Sequence, residues 1–235
     1  MPSPSKKGDA VEISVLDLGY VKAIEGWGRD ESIIEAARMS TGKGFQGWDT
    51  DAKLLAYLYN NHHATPFEMA GLIIEVKAPI FVFREWHRHR TQSYNEMSAR
   101  YIPLPNQNYI PTLNRIIPAQ TDNRQASGTQ PFKREVAEHW LDRLQAMYDA
   151  AESFYQAGLD AGIPKEIARL VVPVARYSRM RASANLRNWL AFLTLRLAPN
   201  AQWEIRQYAQ AVGQIIADRF PRTWALFDAE MNRGR

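Results

Sequence analysis

The chain contains no cysteine among its 235 residues. This removes disulfides, thiolate metal sites and any cysteine nucleophile from consideration. Long apolar runs are also missing. None approaches the ~20 residues needed to cross a bilayer. The segment "MPSPSKKGDA" (residues 1–10) lacks the apolar stretch of a secretion signal. A cytoplasmic protein without a membrane partner is therefore expected. Glycine-rich phosphate loops are absent too: neither GxGxxG nor GxxxxGK[ST] occurs. Any bound nucleotide must be held by side chains rather than by a Rossmann turn. The excess of positive charge is small, +4 overall, which does not imply nucleic-acid binding unless it is clustered.

What is present is ordinary globular composition, with 46% hydrophobic and 23% charged residues. That is enough apolar material for one large core. Neither an internal repeat nor a clear linker divides the chain. The expected architecture is a single α+β domain over residues 1–235, with a small antiparallel sheet and several helices. Residues 1–10 are expected to be a flexible N-terminus. "VEISVLDLGY" (Val11 to Tyr20) reads as a strand. "DESIIEAARMS" reads as a helix capped by Asp30, and "TDAKLLAYLYNNH" as another. "HATPFEMAGLIIEVKA" reads as a turn entering a strand. A helix is predicted from Pro79 to about Arg88, with Phe81, Val82 and Trp86 inward.

Residues 101–131 carry five prolines among Asn, Gln and Thr, and read as an irregular loop. Phe132, Val136, Trp140, Leu144, Met147, Ala151, Phe154 and Leu159 then recur at helical spacing. "PKEIARLVVP" is a short helix, "VARYSRMRAS" a strand, and "NLRNWLAFLTLRL" a helix with Leu186, Leu190 and Leu193 on one face. A long amphipathic helix over "NAQWEIRQYAQAVGQIIADRF" and a last one from Pro221 complete the chain.

Charge collects in one place. Directly after the apolar run "LIIEVKAPIFVF" comes "EWHRHRTQSYNEMSARY", Glu85 to Tyr101, with His87, Arg88, His89, Arg90 and Arg100. Guanidinium forks match phosphate and carboxylate oxygens two at a time. Trp86, Tyr94 and Tyr101 between them offer faces for stacking on flat rings. Ser98, Arg100 and the backbone N–H groups of "EMSAR" suit a second phosphate, and Glu96 suits a sugar hydroxyl. The competing explanation is a solvated basic helix end favoured by the helix dipole. Arginines inside apolar helices weigh against it: Arg169, Arg187 and Arg196 need an interior partner or a bound anion. The histidines of "NHHATPFE", even with His87 and His89, fit no metal-ligand spacing, so no metal is expected. In its plainer role His63 is a turn residue bonded to Thr65 or to backbone. Ser98 has no visible His and Asp to activate it, so phosphate binding is favoured over nucleophilic attack.

"RHRTQSYNEMS" (Arg88 to Ser98) resembles the Arg-His-Arg, seven residues, Ser signature of the flavin-dependent thymidylate synthases. The blocks "HHATPFE", "VKAPIFVFREWHRHR", "YNEMSARY", "EIARLVVP", "ANLRNWLAFLTLR" and "AQWEIRQYA" are similar to that family's, in the same order. The resemblance implies conversion of dUMP to dTMP, with methylenetetrahydrofolate as carbon donor and FAD reduced by NADPH as hydride source. It implies no protein nucleophile, which agrees with the missing cysteine.

It further implies an FAD site made from Ser40, His63, Thr65, Arg88, His89, Arg90, Glu96, Asn185, Leu186 and Arg187. For dUMP it implies Glu85, Trp86, His87, Arg88, Glu96, Met97, Ser98, Ala99, Arg100, Arg169 and Arg196, with Arg196 stabilising charge on the uracil ring. A homotetramer with sites shared between subunits is implied, in which "RHR" and "NLR" need not meet within one chain. Two positions depart from the family pattern. Glu85 stands where some members have Gln, and is expected to pair with an arginine or bind sugar. Ala191 stands where some have Asn or His. Two alternatives stay open: an FAD-binding oxidoreductase acting on another nucleotide, and a basic module that binds single-stranded nucleic acid.

Overall fold

The computed structural model describes residues 11–116 and 133–233. Its scaffold is a five-stranded, wholly antiparallel sheet in the order β1-β2-β3-β5-β4. The strands are β1 Glu12–Val15, β2 Gly19–Trp27, β3 Gly71–Pro79, β4 Ser93–Glu96 and β5 Tyr177–Asn185. Among the described residues the helices are α1 Asp30–Arg38, α2 Trp48–Asn60, α3 Ala64–Glu68, α4 Ile80–Trp86, α5 Arg134–Asp160, α6 Lys165–Ala168, α7 Leu186–Arg196, α8 Trp203–Arg219 and α9 Pro221–Arg233. This is the single α+β domain expected.

Period-two alternation fixes the sheet's two faces. Leu72, Ile74, Val76 and Ala78 of β3 point into the core, as do Met180, Ala182 and Ala184 of β5. The intervening residues pair by charge on the other face: Glu75 lies opposite Arg181, with 3.6 Å between Arg181 Nε and the carboxylate. Against the apolar face pack α4, α7 and α8, contributing Val82, Phe83, Trp86, Trp189, Phe192, Leu193, Ile205, Tyr208 and Val212. β3 runs into α4 at Pro79, which is paired with Tyr177 at the start of β5. β5 runs into α7 at Asn185, paired with Gly71 at the start of β3. The two helices therefore start at opposite ends of the central strand pair and meet over the same core.

Several local expectations change. Val11 to Tyr20 is not one strand but a hairpin. Its turn places Leu16 at φ 58°, and Asp17 accepts a hydrogen bond from the buried Tyr177 hydroxyl. Ala64–Glu68 is a short helix rather than a turn. Inside α4, Phe83 is buried and Phe81 only partly so. Phe132, residues 1–10, and the part of the 101–131 loop beyond residue 116 lie outside the described residues. Residues 101–116 are irregular apart from one 3-10 turn, Leu113–Arg115, and a bridge between Asn108 and Arg176. The apolar stripe of α5 does not face this chain's core. Trp140 is 49% and Phe154 69% exposed, while Ala137, Tyr148 and Tyr155 form the buried side.

Asp30 also has a different role. The cap position of α1 is Arg29, and Asp30 is buried. Its carboxylate accepts from the backbone N–H of Arg222 at 2.8 Å and of Thr223 at 3.2 Å, and from the Thr223 hydroxyl at 2.6 Å. It thus caps α9 from a distance, satisfying N–H groups that the first turn of a helix leaves open. Asp30→Ala removes the acceptor of three donors, the two of Thr223 buried, and is expected to lower unfolding stability by about 2–4 kcal/mol. Urea denaturation at fixed protein concentration measures this. A loss below about 0.5 kcal/mol contradicts the capping role.

Candidate active site

The basic segment leaves the C-terminus of α4, makes a turn over residues 87–92 and enters the edge strand β4. Trp86 anchors it. Its indole is fully buried, stacked on Phe192 at 4.6 Å, and its Nε1 donates to Gln92 at 3.1 Å. This corrects the expectation that Trp86 offers a stacking face: its ring is core. Tyr94 is likewise engaged. Its hydroxyl donates to the His89 carbonyl at 2.6 Å, with the Trp86 carbonyl at 3.2 Å, and burial raises its pKa. Of the three interleaved aromatics only Tyr101 is freely exposed, at 74%.

Arg196, at the last turn of α7, reaches this turn. Its Nε donates to His89 Nε2 at 2.8 Å, its Nη1 to the Glu85 carboxylate at 2.9 Å, and its Nη2 to the Glu85 carbonyl at 2.7 Å. The expected pairing of Glu85 with an arginine is present. The Arg196 side chain is only 14% exposed, so these acceptors offset the cost of withdrawing a cation from water. Partial burial of the His89 ring and the adjacent guanidinium push its pKa down to about 4, against a smaller opposing pull from Glu85. Nearer the start of α7, Asn188 Nδ2 donates to the Thr91 carbonyl at 3.1 Å. The "RHR" turn and the "NLR" helix therefore do meet within one chain.

The other candidate residues fall into groups. A cavity of about 320 Å3 is lined by His63, Arg187, Leu190 and Ala191, with Tyr59 and Phe67 among its walls. Arg187 is half exposed and pairs with Glu68 at 2.6 Å. His63 is exposed at the start of α3. Its ring lies edge-on to Tyr57, its side chain makes no capping hydrogen bond, and its backbone N–H donates to the Leu58 carbonyl at 2.9 Å, which is the plain turn role. Thr65 is exposed beside it. Ser40 sits exposed in the 3-10 turn Met39–Thr41, donating to the Ala37 carbonyl at 3.3 Å. Asn185 spends its side chain capping α7, accepting from Asn188 N–H at 2.9 Å. Leu186 is fully buried, because it begins α7 on its core side. Its side chain is therefore unavailable to a ligand.

Glu96 to Arg100 form a separate turn at the end of β4. Met97 N–H donates to the Arg179 carbonyl, and Arg100 N–H to Ser98 Oγ at 3.3 Å. These two N–H groups are not open for a phosphate as expected. Ala99 is buried, and Arg100 pairs with Glu166 of α6 at 3.2 Å. His87 rests its Nε2 against Met180 Sδ at 3.1 Å. Arg169 begins the 3-10 turn after α6. No hydrogen bond or ion pair among the described residues joins the Ser98, Arg100 and Arg169 group to Arg196.

Arg88 and Arg90 are exposed and make no ion pair or side-chain hydrogen bond among the described residues. Neither lines the cavity just described, whose cation is Arg187; exposed guanidinium groups without a partner suit the phosphates of a ligand, and the flat apolar walls of the cavity suit a planar ring. Among the described residues no group of three or more His, Cys, Asp or Glu side chains is placed to hold a metal ion, and no helix is long and apolar enough to cross a membrane. Sequence reading missed Glu68, Thr91, Asn188 and the tethering role of the Tyr94 hydroxyl. Only Asn188, three residues after a capping Asn, carried a readable signal.

Comparison with known proteins follows the same lines. A family model described as thymidylate synthase complementing protein matches residues 22–222. A flavin-dependent thymidylate synthase from Thermus thermophilus is 41% identical over 222 residues, covering 94% of this chain and 80% of its own length. Another, from Thermotoga neapolitana, is 38% identical over 217 residues, covering 92% and 94%. Among solved structures, a UMP/dUMP methylase from Streptomyces cacaoi, PolB, bound with 5-Br UMP, superposes with a TM-score of 0.82. It is 32% identical and covers 93% of this chain and 97% of that one.

Removing the Tyr94 hydroxyl tests the tether on the basic turn. Tyr94→Phe is expected to cost about 1 kcal/mol of stability and to speed amide hydrogen exchange in residues 87–92. Unchanged exchange there contradicts the tether.

Proposed function

The chain belongs to the thymidylate synthase complementing protein family, and from that premise we propose that it methylates dUMP to dTMP as a flavin-dependent thymidylate synthase. The observation that carries this reading is the contact of Arg196 with Glu85 and His89, beside the unpaired Arg88 and Arg90.

The chemistry follows from what the chain lacks and holds. With no thiolate to add to the uracil ring, C5 must be made nucleophilic in another way. Arg196 uses three of its five N–H donors on Glu85 and His89. The remaining two are free to meet the pyrimidine edge, which carries the enolate-like negative charge that makes C5 nucleophilic towards the one-carbon unit of methylenetetrahydrofolate. A fixed guanidinium in a poorly hydrated site favours that charge without reorganising. Arg88 and Arg90, with His89, Glu96, Thr65, Ser40, His63, Asn185 and Arg187, are the residues we assign to FAD. For Asn185 and for Leu186 only backbone atoms are available. FAD held there and reduced by NADPH would supply the hydride that completes the methyl group. Glu85 to Arg88, Glu96 to Arg100 and Arg169 are assigned to dUMP, with Trp86 contributing backbone alone.

The uncovered apolar stripe of α5, with Trp140 and Phe154, supports the proposed homotetramer. Because the printed substrates of PolB include UMP, UMP belongs beside dUMP as a second candidate.

Purified protein is expected to be yellow and to be bleached by NADPH. It is expected to release tritium from C5-labelled dUMP only when methylenetetrahydrofolate is present. A colourless protein that binds polynucleotide, or a flavoprotein without tritium release, contradicts the proposal. Arg196→Ala should lower turnover by ~10²–10³ while dUMP binding changes far less. Normal turnover removes Arg196 from its role. Phe154→Glu is expected to reduce the assembly to smaller species by sedimentation and to abolish activity. An unaltered tetramer places the interface elsewhere.

A further inference from the structure

Arg196 Nε carries a hydrogen and has no lone pair to accept with. His89 Nε2, 2.8 Å away, must therefore be the acceptor, and its ring must be neutral with the proton on Nδ1. The ring is held for this. It lies edge-to-face against Phe192 at 4.9 Å, and its backbone carbonyl takes the Tyr94 hydroxyl from β4. The charged groups that face it are Arg196 from α7 and Glu85 from α4. We propose that His89 is a positioning residue whose unprotonated Nε2, with the carboxylate and carbonyl of Glu85, fixes the plane of the Arg196 guanidinium. This role is distinct from any contact His89 makes with flavin. It rests on the reading that Arg196 acts on the pyrimidine.

The consequences follow from charge. A protonated His89 would present an N–H to an N–H and a cation to a cation, so the clamp opens when the ring takes up a proton. Glu85 does not replace it, because its carboxylate Oε2 meets Nη1 and its backbone carbonyl meets Nη2, which leaves Nε without an acceptor in a side chain that is 14% exposed. An acceptor of similar reach that cannot titrate restores the clamp, and an apolar residue does not.

The test uses the full chain labelled at histidine Cε1 and ring nitrogens, which gives five histidines to resolve, with His89→Gln assigning the resonance. His89 is expected to be the Nδ1–H tautomer and to stay neutral down to about pH 4. In Arg196→Leu its midpoint should rise toward the ordinary ~6.5. Since the folded value is depressed, His89 contributes stability that is complete above about pH 6.5 and lost as pH falls toward 4. His89→Gln should flatten that part of the stability profile. In kinetics at saturating FAD, His89→Leu should approach Arg196→Ala, His89→Gln should recover most of that difference, and His89→Leu combined with Arg196→Ala should be no worse than Arg196→Ala alone. An Nε2–H tautomer, or a midpoint in the ordinary range that Arg196→Leu does not move, overturns the proposal. The titration needs no turnover, so it stands or falls separately from the assignment of the reaction.

Discussion

A guanidinium drawn out of water must be given acceptors, and the constraint organises this molecule around Arg196. Two come from Glu85 in the last turn of α4 and one from His89 on the turn that follows Trp86. Each acceptor is tied in turn: the indole of Trp86 is stacked on Phe192 of the helix that carries Arg196, and the His89 carbonyl is held by Tyr94. Without those contacts the cation would swing into solvent, where its field is screened and its orientation lost.

The sheet makes the meeting possible. β3 and β5 are central antiparallel neighbours, and each feeds its helix without an intervening loop. Pro79 ends one strand and opens α4, while Asn185 ends the other and caps α7 with its own side chain. Strand register therefore fixes how the two helices lie relative to each other. Core burial of Val82, Trp86, Trp189 and Phe192 holds them there. A rigid scaffold of this kind lets neighbouring arginines, Arg88 and Arg90, stay without an ion pair among the described residues at little cost in local order.

Much of this was readable from the chain. The helices from Leu186 onward announce themselves by spacing, and the Glu85 to Tyr101 segment by its charge directly after an apolar run. The resemblance supplied the roles. What was not legible depends on contacts between distant segments. Asp30 looks like a local cap yet serves α9, because a carboxylate satisfies whichever open N–H groups tertiary packing brings to it. Trp86 and Leu186 carried two readings, core by helical spacing and ligand contact by the motif, and side-chain direction in α4 and α7 keeps the first. The α5 stripe has the period of a core helix, but period does not say whose core it faces. The hairpin at Leu16 was hidden because β-branched residues lie on both sides of its turn.

The most direct test of the central claim is a structure of the full assembly with FAD and dUMP bound. The account predicts that Arg196 keeps its Nε on His89 Nε2 and turns its two remaining N–H donors to the pyrimidine edge. An Arg196 side chain that has left Glu85 and His89, or a pyrimidine lodged out of its reach, would contradict it.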